Sequence, residues 1–328
     1  MLSTYAINTR PASSGVHRDI DRDAVRRRRL DQTAALRIPE TDSFAPGALP
    51  LPVSRGPAST PVVLLHASAS SARQWQSATA ALSGRFEAHT VEFHGHGAQP
   101  AWQGDIPMTL AHDAALVEPL LERLGGAHLV GHSYGAAVAL RVASRRPALV
   151  RCVVAYEPVL FSLLQGVPAA QGELQTVLGV VSAMRRSLAQ GRPERAAEYF
   201  VDSWSGPGAW TVLSPEQQQP ITARVPVVLQ QFEALFGDAF AGRDLAALRM
   251  PLLLLSGAQT VPTARRLVQR VCAAQPAAQH EVLDGMGHMG PITHADRFTG
   301  CVLEFLAALE SRTARHERAP ACPVHTFP

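Results

Sequence analysis

Gly131-His132-Ser133-Tyr134-Gly135-Ala136 lies between an apolar run, Ala127-His128-Leu129-Val130, and a segment rich in helix formers, Ala136–Arg145. It is a G-x-S-x-G sequence at a strand-to-helix junction. Glycines two residues before and two after the serine allow a sharp backbone turn where a Cβ would clash. Such a turn lifts the Ser133 hydroxyl off the strand end and sets it over a helix N-terminus. Backbone N–H groups and the helix dipole there favour developing negative charge. Taken alone the pattern is common by chance; in this setting it reads as a nucleophile elbow rather than a simple turn.

Working outward, apolar runs alternate with helical patterns. Strands are expected at 61–66, 86–93, 127–132 and 150–156, with helices at 71–82, 109–124 (Thr109 as N-cap) and 136–146 between them. The rhythm resumes with a strand at 251–256, a helix at 261–274, a strand at 280–283 and a helix at 295–312. Strands this apolar, alternating with helices, predict an α/β protein with a mostly parallel, doubly wound sheet covered on both faces.

Two regions depart from that rhythm. Residues 159–243 read as largely helical, broken at Gly166-Val167-Pro168, Gly191-Arg192-Pro193 and Ser205-Gly206-Pro207-Gly208. A connection of this length must be a subdomain of its own. Its aromatics (among them Phe161, Tyr199, Trp204, Trp210 and Phe232) form its core, and a helical cap over the site is the compatible functional reading. The expected division is an extension at 1–45, a core at 46–158 and 244–312, the cap at 159–243 and a tail at 313–328. The extension is read as mobile, with a short helix near Asp21–Arg37. Residues 46–60 could add an edge strand or two, but Pro46, Pro50, Pro52 and Pro57 weaken that reading.

A serine hydroxyl needs a base beside it. In chain order the base should follow the last strand, where Gly285-Met286-Gly287-His288-Met289-Gly290 offers an imidazole flanked by glycines. His288 is the candidate; His294, six residues on, is the weaker one. An acid must then hold the imidazole tautomer. The usual place is the loop after 251–256, Gly257-Ala258-Gln259-Thr260-Val261-Pro262, but no acid occurs anywhere from Leu245 to His280. The preceding strand supplies one in Tyr156-Glu157-Pro158, so Glu157 takes the orienting role, against the plainer reading of a strand-end carboxylate paired with an arginine or with the cap. Asp284 is the reserve, too near His288 in sequence for easy geometry. For the oxyanion hole, one N–H donor should be that of Tyr134, immediately after the serine. The other should lie in His66-Ala67-Ser68-Ala69-Ser70; Ser68 is the choice and Ala67 its close rival.

Composition excludes much else. The 328 residues contain no lysine, all 30 basic residues being arginine. Schiff-base chemistry, lysine-bound pyridoxal phosphate and a P-loop lysine are therefore ruled out. No G-x-G-x-x-G opens a helix after a strand, so no dinucleotide site is expected. His94-Gly95-His96-Gly97 sets two imidazoles two apart, but no cysteine or carboxylate adjoins them and a flexible turn is the better reading than a metal site. No cofactor is implied. Cys152, Cys272, Cys301 and Cys322 are scattered, as buried thiols of a reducing compartment would be. With no apolar run of membrane-spanning length and no signal-like N-terminus, a cytoplasmic location is expected. The net charge of +3 is carried entirely by residues 1–40. Arg26–Arg29 reads as a solvated run rather than a nucleic-acid or membrane contact. No apolar stripe announces a dimer.

Together these segments resemble the α/β-hydrolase superfamily, in its serine-nucleophile branch with a helical cap. The strand-His-x-S-x-S loop at His66–Ser70, the Gly-His-Gly turn at 95–97, the elbow at 131–135 and Gly-His-Met at 287–289 follow that family's order. The resemblance covers roughly 60–160 and 244–310, and the insertion falls where the family places its cap. It departs in two places: the family's His-Gly oxyanion motif is His66-Ala67 here, and the acid is missing from its commonest position. Some haloalkane dehalogenases of the superfamily carry the acid after the preceding strand, as proposed for Glu157. They use an aspartate nucleophile, as epoxide hydrolases do, and Ser133 argues against both chemistries. The resemblance implies a serine hydrolase acting through an acyl-enzyme on an ester-like or other carbonyl compound; the aromatic-rich insertion, with little charge around it, favours a substrate of modest size and apolar character. The same triad serves carbon–carbon bond hydrolases, lactonases, thioesterases and perhydrolases. A hydrolase-like receptor with little turnover is the alternative outside catalysis.

Overall fold

A computed structural model describes residues 59–238, 240 and 242–317. The expected extension, its arginine run, the helix near 21–37, most of the 46–60 stretch and Cys322 lie outside the described residues.

Six strands form one sheet: β1 (Thr60–Leu65), β2 (Phe86–Val91), β3 (Ala127–His132), β4 (Val150–Tyr156), β5 (Leu252–Gly257) and β6 (Gln279–Leu283). All neighbours pair in parallel, in the order β2-β1-β3-β4-β5-β6. Burial follows position. Every residue of β3 and β5 is buried, whereas only Leu283 is buried in the edge strand β6. Strands covered on both faces read as continuous apolar runs, which is how these appear in the sequence.

The helices outside the insertion are α1 (Gln76–Leu82), α2 (Leu110–Leu124) and α3 (Tyr134–Arg145). The insertion supplies α4 (Gln171–Ala189), α5 (Pro193–Ser205) and α6 (Pro215–Gly237); α7 (Gly242–Ala246) spans its end, and α8 (Pro262–Ala274), α9 (Gly290–Thr293) and α10 (Ala295–Glu317) follow. α1 and α10 pack together, and Trp75, Phe298, Phe305 and Leu306 bury against Tyr156, Val154 and Leu255 of the sheet. α3 lies against β3 and β4, with α2 beside it. Among the described residues no helix is long and apolar enough to cross a membrane.

The expected elements are present, with shifted ends. The helix expected from Ser71 opens as a 3-10 turn, Ala72–Trp75, before α1. β2 stops at Val91, short of Phe93. α10 runs past Arg312 to Glu317, because no glycine or proline occurs between Gly300 and Pro320 to end it. In the insertion α4, α5 and α6 pack on one another. Phe161, Phe200, Trp204, Phe232 and Phe236 meet there, with ring centroids 5.0–6.4 Å apart.

The chain leaves β1 toward one side of the sheet and β3 toward the other. Such a switch point opens a crevice at the carboxyl ends of the two strands, where ligands of open α/β sheets bind. Ser133 and the Ala67–Ala69 loop both stand at that crevice.

Candidate active site

Ser133 follows β3 directly, with φ 54° and ψ −113°, and its carbonyl accepts the N–H of Ala137 (3.1 Å) to start α3. Gly131 and Gly135 allow the turn. A Cβ on Gly131 would meet the backbone of Gly135 and Ala136, and one on Gly135 the carbonyls of Leu65 and His66. Among the described residues, positive φ outside glycine occurs at Ala69 (57°), Ser133 (54°) and Glu157 (45°). All three follow the ends of central strands. Strain of this kind persists only where surrounding structure holds it, and it concentrates at functional sites.

His288 stands in the loop between β6 and α9. Its Nε2 lies 3.0 Å from Ser133 Oγ and its Nδ1 lies 2.6 Å from Glu157 Oε2. A carboxylate only accepts, so the Nδ1 proton points to Glu157 and the Nε2 lone pair faces the serine hydroxyl. All three side chains are buried: Ser133 is 6%, His288 4% and Glu157 1% exposed. The acid-free loop after β5 serves the carboxylate in another way. Gly257 N–H donates to Glu157 Oε1 (2.8 Å) and the Thr260 hydroxyl to Oε2 (2.7 Å). Three donors thus replace water around a buried charge, which would otherwise be costly. Asp284 is exposed, its backbone carbonyl accepts from Arg297, and His288 Nδ1 is engaged by Glu157.

Gly257 and Gly290 let the elements close on one another. A Cβ at Gly257 would strike the Met286 carbonyl, and one at Gly290 the Tyr156 phenol. The Tyr156 hydroxyl donates to the Gly287 carbonyl (2.6 Å), immediately before His288.

Tyr134 is the first residue of α3, where a backbone N–H has no partner within its helix. Its hydroxyl donates to Asp113 Oδ2 (2.7 Å), and Asp113 also accepts the Nδ1–H (2.6 Å) and backbone N–H (3.1 Å) of His94. In the loop after β1, Ala67 N–H donates to Gln74 Oε1 (3.1 Å), and Ser70 N–H closes a turn on the Ala67 carbonyl (3.2 Å). Ser68, between them, stands at the second position of that turn.

The Nδ1 atoms of His94 and His96 are each taken up by a protein partner. His94 is held by Asp113, while His96 donates Nδ1–H to the His94 carbonyl (2.9 Å), and burial lowers its pKa to about 4. Several contacts at the site have no clear sequence signal. Trp204 of α5 stacks on the His288 ring, with centroids 4.4 Å apart and planes 25° apart. Gln74, Asp113, His132 and Thr260 also touch the machinery. His132, inside the elbow motif, Thr260, in the acid-free loop, and Trp204, among the insertion's aromatics, stood in stretches the pattern already marked.

The sequence profile described as "Alpha/beta hydrolase family" matches residues 62–300. The chain is 28% identical over 267 residues to a pimeloyl-[acyl-carrier protein] methyl ester esterase of Pectobacterium atrosepticum, covering 78% of this chain and 97% of that protein. Among solved structures it is similar to MGS-M2, an alpha/beta hydrolase from a Medee basin deep-sea metagenome library (TM-score 0.64, 17% identity, 78% of this chain and 92% of that one). It is also similar to the carboxylesterase CesB of Bacillus subtilis (TM-score 0.58, 21% identity, 87% of this chain and 99% of that one). At these identities the two structures speak for the fold.

Proposed function

This chain belongs to the alpha/beta hydrolase family, and from that premise we propose that it is a serine esterase whose nucleophile, base and acid are Ser133, His288 and Glu157. The observation that carries the reading is the continuous buried contact Ser133 Oγ–His288 Nε2–Nδ1–Glu157 Oε2, at 3.0 and 2.6 Å.

Ser133 Oγ attacks the ester carbonyl carbon while His288 Nε2 takes its proton. The imidazolium so formed is stabilised by Glu157, whose charge is held by Gly257 N–H and the Thr260 hydroxyl. Negative charge on the former carbonyl oxygen is met by the N–H groups of Tyr134 and Ser68. Ser68 is preferred over Ala67 because the Ala67 N–H is already given to Gln74. The tetrahedral intermediate collapses, and His288 protonates the departing alkoxide. His288 then deprotonates water, which attacks the acyl-enzyme, and collapse returns the proton to Ser133. The sum is ester plus water to acid plus alcohol.

Residues 159–243 act as a cap in this reading. Trp204 stacks on the ring of the base, and the aromatic cluster around it favours an apolar acyl group of modest size. The relative from Pectobacterium, named for cleaving a methyl ester, supports a small alcohol as leaving group. The acid-free loop after β5 favours the alternative of a hydrolase-like receptor with little turnover; the Glu157 carboxylate 2.6 Å from the imidazole supports the esterase reading over it.

The test is labelling by a fluorophosphonate probe followed by peptide mapping. Rapid modification of Ser133, lost in Ser133→Ala together with hydrolysis of short nitrophenyl esters, is expected. A Ser133→Ala enzyme that hydrolyses those esters at the parent rate would overturn the proposal.

A further inference from the structure

We propose that Gln74 and His132 form a positioning relay that ties the oxyanion loop to the backbone of the catalytic histidine. The relay deepens the esterase reading and rests on it.

It consists of three hydrogen bonds in series. Ala67 N–H donates to Gln74 Oε1 at 3.1 Å, Gln74 Nε2–H to His132 Nδ1 at 3.1 Å, and His132 Nε2–H to the His288 carbonyl at 2.8 Å. Its direction is forced at both ends. A backbone N–H only donates, so the amide atom facing Ala67 is the oxygen. The other amide atom is then the NH2, which only donates, so His132 Nδ1 must accept. That places the imidazole proton on Nε2, opposite a carbonyl that only accepts. Flipping Gln74 or moving the His132 proton sets donor against donor or acceptor against acceptor.

His132 is fully buried, and burial, aided by the neighbouring His288, holds its pKa well below the ordinary imidazole value. The groups facing it are the Tyr156 ring (5.6 Å), the His288 ring (5.4 Å), Gln74 and, farther off, His66. None is a carboxylate that would draw a second proton onto the ring. The relay therefore keeps one polarity.

Three loops meet through these bonds: the one after β1 that carries Ala67 and Ser68, the elbow after β3, and the one after β6 that carries His288. Tyr156 already holds the Gly287 carbonyl, so with His132 two successive carbonyls of the base's loop are fixed. At its other end the relay engages the Ala67 N–H with the Gln74 side chain. Acyl transfer needs donor, nucleophile and base in one geometry, and a displacement near 1 Å costs about 100-fold. His132 and Gln74 touch no reacting atom; they set where the reacting atoms stand.

The experiment compares Gln74→Leu, Gln74→Glu, His132→Phe and the double variant Gln74→Leu/His132→Phe. It reads kcat and KM on a short nitrophenyl ester, the fluorophosphonate labelling rate and the thermal midpoint. Each single variant is expected to lower kcat and labelling about 10- to 100-fold with KM within about threefold. Breaking either link severs the chain, so the double variant should fall no more than about twofold below the worse single one. Gln74→Glu is the sharpest arm. It keeps size, polarity and an acceptor for Ala67 but has no proton for His132 Nδ1, and it should lose kcat as Gln74→Leu does. Parent kcat in folded Gln74→Leu or Gln74→Glu overturns the relay, as do losses that multiply in the double variant. Should His132→Phe fail to fold, the two Gln74 variants decide the matter alone. Parent enzyme that the probe does not label refutes the esterase reading; labelled parent with equally fast variants refutes the relay.

Discussion

Nδ1 of His288 meets Glu157 Oε2 at 2.6 Å, although 131 positions separate the two residues in the chain. The loop that ordinarily supplies the acid stands beside the pair and gives the carboxylate an N–H and a hydroxyl instead. Glu157→Gln should therefore do more than remove a charge. Its amide has one acceptor oxygen where three donors converge on two, so at least one of them is left facing an NH2. A fall in kcat of about 10³- to 10⁴-fold is expected, with KM nearly unchanged. Asp284→Asn, at an exposed position, should stay within about twofold of the parent. Steady-state ester hydrolysis of the two purified variants checks this, and the reverse ranking would move the acid to Asp284.

The proposed second oxyanion donor can be tested by separating the Ser68 hydroxyl from its backbone N–H. Ser68→Ala keeps the backbone N–H and should leave kcat within about threefold. Ser68→Pro removes it and should lower kcat about 10²- to 10³-fold. Proline is well suited to this place, the second position of a turn whose third residue, Ala69, has positive φ. Equal activity of folded Ser68→Pro and Ser68→Ala would return the role to another donor.

Strain at the elbow has a thermodynamic signature. Ser133 holds φ 54° with a Cβ in place. Both Ser133→Ala and Ser133→Gly should abolish ester turnover, but glycine relieves the backbone while alanine does not. Ser133→Gly should be the more stable of the two by about 1 kcal/mol, measured by denaturant unfolding. Alanine equal to or above glycine would mean that the elbow stores no strain.

Acid should destabilise the fold through its buried imidazoles. Burial lowers the pKa of His128 to about 4, and the Cys152 thiol, itself pushed up by burial, lies 2.9 Å from its Nδ1. Between pH 6.5 and about 4 the unfolded chain binds a proton there that the folded chain refuses. The contribution is therefore whole above pH 6.5 and is lost as pH falls through that window. Each such proton contributes a slope of about 1.4 kcal/mol per pH unit. His96, also lowered to about 4, adds a second. Unfolding free energies at pH 7.5, 6 and 5 should show the decline, and His128→Phe should flatten it by about one proton's worth. An unchanged slope in that variant would refute the assignment.

The sequence by itself determined the parts whose information is local. Apolar runs alternating with helical patterns gave the parallel strands, because burial on both faces removes the polar alternation. The two glycines around Ser133 gave the elbow, and the glycines around His288 the loop that presents its imidazole. Glu157 was reachable by elimination, since residues 245–280 hold no acid. Only the tertiary structure decided what closes across the sheet. That Gly257 N–H and the Thr260 hydroxyl turn toward Glu157, that Trp204 of the insertion lies on His288, and that Gln74 and His132 join the loops after β1 and β6 depend on strands brought side by side by packing. Hydrogen bonds between residues far apart in the chain leave no period or spacing in the sequence; they exist only once the core has fixed the ends of its strands.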